Sequence, residues 1–298
     1  MSKFIESEKY LLSLFSPNNE FEYEGVKYKI IESGKPQTSK GEPKTDIYVS
    51  SISLDNKSNL EFKISFKQDN ADFLENKMNE ERAEQIFGSD WKSIIESFTS
   101  SIKHKFSDRC YIFRNSEKRT SAGSITLGWR FELVNKSSGD LSGLANLTMD
   151  QVLEVYTGKK LNEQKKNAKV NGIVIKDSGV ANCIISCDVA YVHSTQDAVD
   201  KIISMEEFAK NNRNVFFVCK ALNYRSFEDK IEGNRHLSVF INWSIENNKL
   251  SPELVFSNPL LTKGKQVKEQ LKKSMGLLEI KNTDDINENN VVSLEFVN

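Results

Sequence analysis

Residues 45–67 read TDIYVSSISLDNKSNLEFKISFK. The run from Thr45 to Leu54 is rich in β-branched residues, DNKSN is a polar turn, and Leu60 to Lys67 alternates strictly between apolar and polar. Successive side chains of a strand point to opposite faces, so Leu60, Phe62, Ile64 and Phe66 face one way and Glu61, Lys63, Ser65 and Lys67 the other. Two such runs about a short turn predict an antiparallel hairpin with one face in a core and one face polar. Asp46 opens the first strand, and pairing is expected to bring its carboxylate beside that of Glu61 at one end of the hairpin.

Upstream, Phe4, Ile5, Leu11, Leu12 and Phe15 recur at helical spacing and stop at Pro17, which predicts an amphipathic helix over 3–15. Alternation through Phe21, Tyr23, Val26, Tyr28 and Ile30 predicts a strand or hairpin bending near Gly25, and a polar loop runs from Ser33 to Lys44. Downstream, a helix is expected around Asn79 to Phe87. A longer one follows, with Trp91, Ile94, Ile95, Phe98, Ile102 and Phe106 on one stripe. Arg109 to Arg114 then reads as a short strand, so the order through residue 115 is helix, three strands, helix, strand.

The remainder carries strand patterns at Ser124 to Val134, Val170 to Ile175, Cys183 to Val192, Val215 to Leu222, Leu237 to Ile245, Leu254 to Phe256 and Val291 to Phe296. Helices are expected at Thr148 to Tyr156, Gln196 to Lys210 and Lys265 to Leu278. Trp129 and Trp243 sit inside strand patterns and are expected in the core. The polar stretch NSEKRTSAG beginning at Asn115 is the expected boundary. The chain thus reads as an α+β protein with one domain over 1–118 and a second over 119–298.

The 298 residues are 38% hydrophobic and 28% charged, enough to bury a sizeable core. Lys+Arg 41 against Asp+Glu 42 leaves a net charge of −1, so any surface for a polyanion must be local. Four scattered cysteines do not form a disulfide scaffold, which predicts a reducing, cytoplasmic setting. Cys183 and Cys187 share one face of an apolar strand and are expected as core thiols. No pair among His104, His193 and His236 has ligand spacing. Glu6 and Glu8 interrupt the apolar run at the start, and no apolar stretch approaches ~18 residues, so neither export nor membrane insertion is expected. GxxxxGK[ST], GxGxxG and GxSxG are all missing from the sequence, which removes the common phosphate-loop, dinucleotide and hydrolase readings.

Two carboxylates held by adjacent strands, with a lysine two positions past the second, suit phosphodiester hydrolysis with Mg²⁺. The carboxylates are hard oxygen ligands for a cation that keeps several waters, and the lysine can orient a water or stabilise developing negative charge. Asp46 followed by Glu61-Phe62-Lys63 resembles the D…(D/E)xK signature of the PD-(D/E)xK nuclease superfamily, which includes many restriction endonucleases. The element order through residue 115 is similar to that superfamily's αβββαβ core, with the motif on the second and third strands. Thr45 stands where proline often precedes the aspartate. Ser65-Phe66-Lys67 also fits variants of the signature whose second acid is replaced or moved, with Lys67 then in the role of Lys63.

The resemblance implies a restriction-endonuclease-like mixed sheet followed by a second α+β domain. It implies a Mg²⁺-dependent endonuclease cutting double-stranded DNA, with Asp46 and Glu61 as metal ligands and Lys63 or Lys67 orienting the attacking water. Glu42 and Lys44 in GEPKTD are similar to the residues that lead into this strand in that group. An acid of the first helix assists the metal in some members; here Glu6 and Glu8 are expected to face solvent. Ser65 and Gln68 are candidate DNA contacts, and Asp69, Asn70 and Asp72 follow on the same segment.

A nuclease of near-zero net charge needs clustered cations, because phosphate contacts supply most non-specific affinity. Arg109 with Lys103 and Lys105, Arg114 and Arg119 with Lys118, the lysines from Lys159 to Lys169, and those from Lys263 to Lys273 are the candidates. Residues 119–298 have the size for target recognition or dimerisation, so a homodimer is one arrangement to test. The rival reading is a non-catalytic DNA-binding or structural protein with a degenerate nuclease-like core, such as a phage would encode; a third is cleavage of RNA on the same core.

Overall fold

The computed structural model describes residues 3–39, 41–68 and 73–298. The protein is α+β and divides into two compact units, each made of two chain segments: Met1–Asp72 with Leu147–Arg213, and Phe73–Asn146 with Asn214–Asn298. This replaces the expected division at 118/119, and strand pairing is the reason. Phe73–Glu75 and Ile112–Phe113 both pair with Ser124–Val134, so the residues before and after the expected boundary share one sheet. The polar stretch expected as a linker is a turn closed by reciprocal backbone hydrogen bonds between Glu117 and Thr120.

In the first unit, helix α1 (Lys3–Leu14) leads into strands β1 (Glu20–Tyr23), β2 (Val26–Gly34), β3 (Ile47–Ser53) and β4 (Asn59–Lys67). After the segment that belongs to the second unit come α2 (Met149–Thr157), α3 (Glu163–Lys166), the two-residue strands β5 (Lys169–Val170) and β6 (Ile173–Val174), and β7 (Cys183–Ser186). Helix α4 (Thr195–Val199), β8 (Ile203–Ser204) and α5 (Met205–Asn211) complete it. The sheet runs β1-β2-β3-β4-β7-β8. Strands β1 to β4 form an antiparallel meander, and β7 lies parallel to β4, Cys183 beside Ile64 and Ser186 beside Lys67.

The alternation of β4 builds the core as the sequence predicts. Phe62, Ile64 and Phe66 pack with Ile47 and Val49 of β3, Ile185 of β7, Leu11 and Phe15 of α1, and Ala198 and Val199 of α4. Fully burying side chains of this size contributes roughly 1.5–3 kcal/mol each. Away from that face, α2 packs on α5, where Tyr156 and Phe208 meet edge to face at 5.3 Å, and α5 contacts β7. Helix α2 is well delimited: Thr148 and Gln151 form a capping box at its start, and Gly158 at φ 69° closes it.

Several expectations change in this unit. The fourth strand of its sheet beside β4 is Cys183–Ser186, whereas only Ile112–Phe113 of the expected Arg109 to Arg114 strand is extended, and it belongs to the second unit. Gln196 to Lys210 splits into α4 and α5 around β8, because β8 pairs with β7 and needs an extended backbone. Cys183 is a buried thiol as expected; Cys187 falls beyond the strand and is half-buried.

The second unit is built on antiparallel strands around Ser124–Val134, which pairs with Val215–Arg225 along its length and is followed across the sheet by the hairpin of Val239–Glu246 and Lys249–Val255. Trp129 and Trp243 are buried there, and Phe98, Phe131 and Phe217 stack. The helix Gly264–Leu277 packs on Val239–Glu246. Val291 to Phe296, expected as a strand, ends in a single 3₁₀ turn at Leu294–Phe296. No helix among the described residues is long and apolar enough to cross a membrane.

Candidate active site

The register of the β3–β4 ladder decides which polar residues meet. Ile47 pairs with Ile64, Tyr48 with Lys63, Val49 with Phe62 and Ser50 with Glu61. Just before β3 begins, the Asp46 N–H donates at 2.8 Å to the O of Ile64, the residue paired with Ile47. The Asp46 carboxylate turns onto the end of β4, where Oδ2 accepts the Phe66 N–H at 2.7 Å. Glu61 lies five positions before Phe66 along the strand, roughly 16 Å away at ~3.3 Å per residue. The expected Asp46–Glu61 metal pair is therefore not formed. Distance from the turn is the cause: Ser53 N–H donates to Ser58 O to close the hairpin, which puts Glu61 near the turn and Asp46 at the open end.

At the turn-proximal end, Glu61 is spoken for. Its Oε1 accepts the Tyr48 hydroxyl at 2.5 Å, and Lys63 Nζ lies 3.9 Å from its Oε2. Tyr48 is 2% exposed, and burial, reinforced by the Glu61 hydrogen bond and charge, holds its phenol well above the ordinary value. Asn182 clamps this stretch, accepting the Lys63 N–H and donating to Glu61 O. Lys63 is thus on the polar face, as expected, but away from Asp46.

The open end gathers a different set. Ser65 is buried, Lys67 and Gln68 are half-buried, and Gln68 Nε2 donates to Ser7 Oγ of α1 at 2.7 Å. Glu8, next along α1, is 8% exposed and takes the Lys35 ammonium at 2.6 Å. Desolvation raises the Asp46 carboxyl above its ordinary value; Lys67 and the Phe66 N–H oppose this, Glu8 adds to it and Lys35 opposes it. The site is consequently a half-buried carboxylate in the field of a second one and of two lysines. The Lys67 backbone O accepts the Cys187 N–H, and its ammonium acts on Asp46 through charge.

Glu8 corrects an expectation. Glu6 is exposed as foreseen, but Glu8 is buried. The signal was in the sequence: Glu8 stands three residues before Leu11 and seven before Phe15, on the stripe that packs into the core. Lys35 had no such signal, because it lies in a loop whose path depends on β2 and β3. Asp69, Asn70 and Asp72 lie outside the described residues. Glu42 is exposed and Lys44 half-buried, and Lys44 N–H donates to Gly179 O at 2.9 Å just before Asp46. Arg109, Arg114 and Arg119 belong to the second unit, where Arg109 pairs with Asp140 at 3.1 Å, and the site is built without them.

The donor set suits one kind of cation. Mg²⁺ takes hard oxygens from one or two carboxylates and completes its shell with water and substrate phosphate. Asp46, Glu8 and the Ser65 hydroxyl offer oxygen only, and a cation's charge would oppose the desolvation that raises Asp46. Among the described residues no group of three or more His, Cys, Asp or Glu side chains is placed to hold a metal ion.

Compared with protein-family models, with curated proteins and with solved structures, the chain finds no match.

Proposed function

We propose that the first unit is a Mg²⁺-dependent phosphodiesterase core that cuts DNA, with its site at Asp46, Ser65 and Lys67. The carrying observation is that the Asp46 carboxylate accepts the Phe66 N–H at the end of β4, between Ser65 and Lys67 and beyond the last pair of the β3–β4 ladder. This favours Ser65-Phe66-Lys67 over Glu61-Phe62-Lys63 as the stretch that answers Asp46. The parallel pairing of β7 with β4, after an intervening helix α2, adds support; the order differs from the αβββαβ core that a PD-(D/E)xK resemblance implies in having β1 before β2 and α3, β5 and β6 before β7.

Each residue then has a role. Asp46, with Glu8 beside it, supplies carboxylate oxygen to the cation. Bound there, Mg²⁺ would polarise the phosphate and lower the pKa of a water. Lys67 orients that water and offsets charge developing on the phosphate oxygens. The Ser65 hydroxyl is a neutral donor to a phosphate oxygen. Lys35 holds the Glu8 carboxylate in place.

The test is cleavage of plasmid DNA with Mg²⁺ by the parent chain, Asp46→Asn, Lys67→Ala and Glu61→Gln. Loss in the first two with full activity in the third is expected. Cleavage by Asp46→Asn at the parent rate, or its loss in Glu61→Gln, overturns the assignment. One observation favours a second reading, DNA binding without cleavage: Ser65 stands where a second acid would be. That reading expects duplex binding by the parent chain and no metal-dependent cutting.

A further inference from the structure

The β5–β6 ribbon is a small, strictly local structure with an unusual surface. Its two strands are joined by Asn171 and Gly172, both at positive φ (49° and 87°), as the tightest hairpin turns require. Val170 pairs with Ile173 and Lys169 with Val174. The inner strand is anchored. Val170 is fully buried, with its Cγ1 2.8 Å from where a Cβ on Gly34 would stand. Asn171 Nδ2 donates to Ser33 O, and Gln37 and Lys169 exchange two backbone hydrogen bonds of 2.8 Å. With Lys44 bonded to Gly179, the root of the ribbon is stitched to the loop that runs from Lys35 to Asp46.

The outer strand is bare. Ile173 is 65% and Val174 59% exposed, and as neighbours on a strand they point to opposite sides, so both faces of the ribbon put an aliphatic group into water. Around them the chain is basic. Residues 159–177 carry six lysines against two acids, Glu163 and Asp177. Both acids lie within 4 Å of Lys166, whereas Lys165, Lys169 and Lys176 are in no ion pair among the described residues.

We infer that this ribbon is a DNA-groove contact serving the neighbouring site: Ile173 and Val174 enter the groove while Lys165, Lys169 and Lys176 meet the phosphates beside it. The inference rests on the DNA-cutting reading and adds how the duplex is held. A two-stranded ribbon fits the major groove, ~12 Å wide, where aliphatic groups contact thymine methyls. An anionic membrane would also attract an apolar tip ringed by lysines. Two aliphatic side chains bury only about 1.5–3 kcal/mol each, less than a single acyl chain that is itself a marginal anchor. Attachment to the loop entering the site favours the duplex.

The experiment measures binding of the full chain to a short fluorescein-labelled duplex without Mg²⁺ across a salt series, with cleavage followed in parallel. Lys169→Ala with Lys176→Ala is expected to reduce the salt slope by about 2, near 0.9 per lost phosphate contact. Ile173→Ser with Val174→Ser is expected to weaken binding about tenfold with the slope kept. If the parent binds and cuts DNA and both double variants bind as it does, the ribbon inference falls and the nuclease reading stands. If the variants lose binding but the parent never cuts, the nuclease reading falls and the ribbon stands. Absence of duplex binding by the parent, or ribbon-dependent binding to phosphatidylserine vesicles in its place, overturns the inference.

Discussion

The two ends of the β3–β4 ladder carry the same residue types and differ in what surrounds them. At one end, Glu61, Lys63 and Tyr48 satisfy one another at the sheet surface. At the other, Asp46 is half-buried, its carboxyl raised by desolvation, and Lys67 has no partner at ion-pairing distance among the described residues. A carboxylate and a lysine two positions apart are therefore not chemistry in themselves. Mutual neutralisation makes the first pair part of the scaffold; desolvation without an ion-pairing partner among the described residues leaves the second set able to act on a ligand.

That contrast can be broken most decisively at the acids. Asp46→Asn is expected to lower Mg²⁺-dependent cleavage by about 10³-fold, the scale of losing an electrostatic element of a reaction site. Glu61→Gln should leave the rate within twofold, ~0.4 kcal/mol. Initial rates on supercoiled plasmid compare them, and equal losses would erase the distinction between the two ends. At the lysines, Lys67→Ala should cost about 10²-fold in the same assay, while Lys63→Ala should cut as the parent does.

Smaller effects sharpen the comparison from the scaffold side. Tyr48→Phe removes a hydrogen bond to a charged group and should destabilise the fold by about 1.5–3 kcal/mol in urea titration, with cleavage unchanged. The smallest effect is on pH dependence. An acid whose folded pKa is raised holds its proton more readily in the folded state, so its contribution to stability falls as pH rises from the ordinary carboxylate value, ~3.9, through the raised one. Asp46→Asn is accordingly expected to melt above the parent at neutral pH, with the gap closing on acidification below that window. Melting curves of the parent and Asp46→Asn at pH 3 and 7 measure the gap.

Part of this site was legible before any coordinates. The alternation from Leu60 to Lys67 separated core from polar face correctly, because a strand's period of two needs no tertiary information. The hairpin was legible too, and counting outward from its turn pairs Ser50 with Glu61 and Ile47 with Ile64, which leaves Asp46 at the far end from Glu61. Glu8 was legible as an acid on an apolar stripe. Lys35 and Asn182 were not, since each reaches the site only through a fold made elsewhere.

By itself, the sequence determined the α+β class, the hairpin of β3 and β4, the helix α1 and the residue types on the polar face. These follow from local periodicity and turn chemistry. Tertiary structure alone decided that Cys183–Ser186 is the neighbour of β4, that the chain divides into two interrupted units, and that desolvation raises Asp46 while Tyr48 and Lys63 engage Glu61. Strand partners far apart in the chain are chosen by which apolar faces fit together, and the desolvation that gives a carboxylate its character depends on all of its neighbours at once.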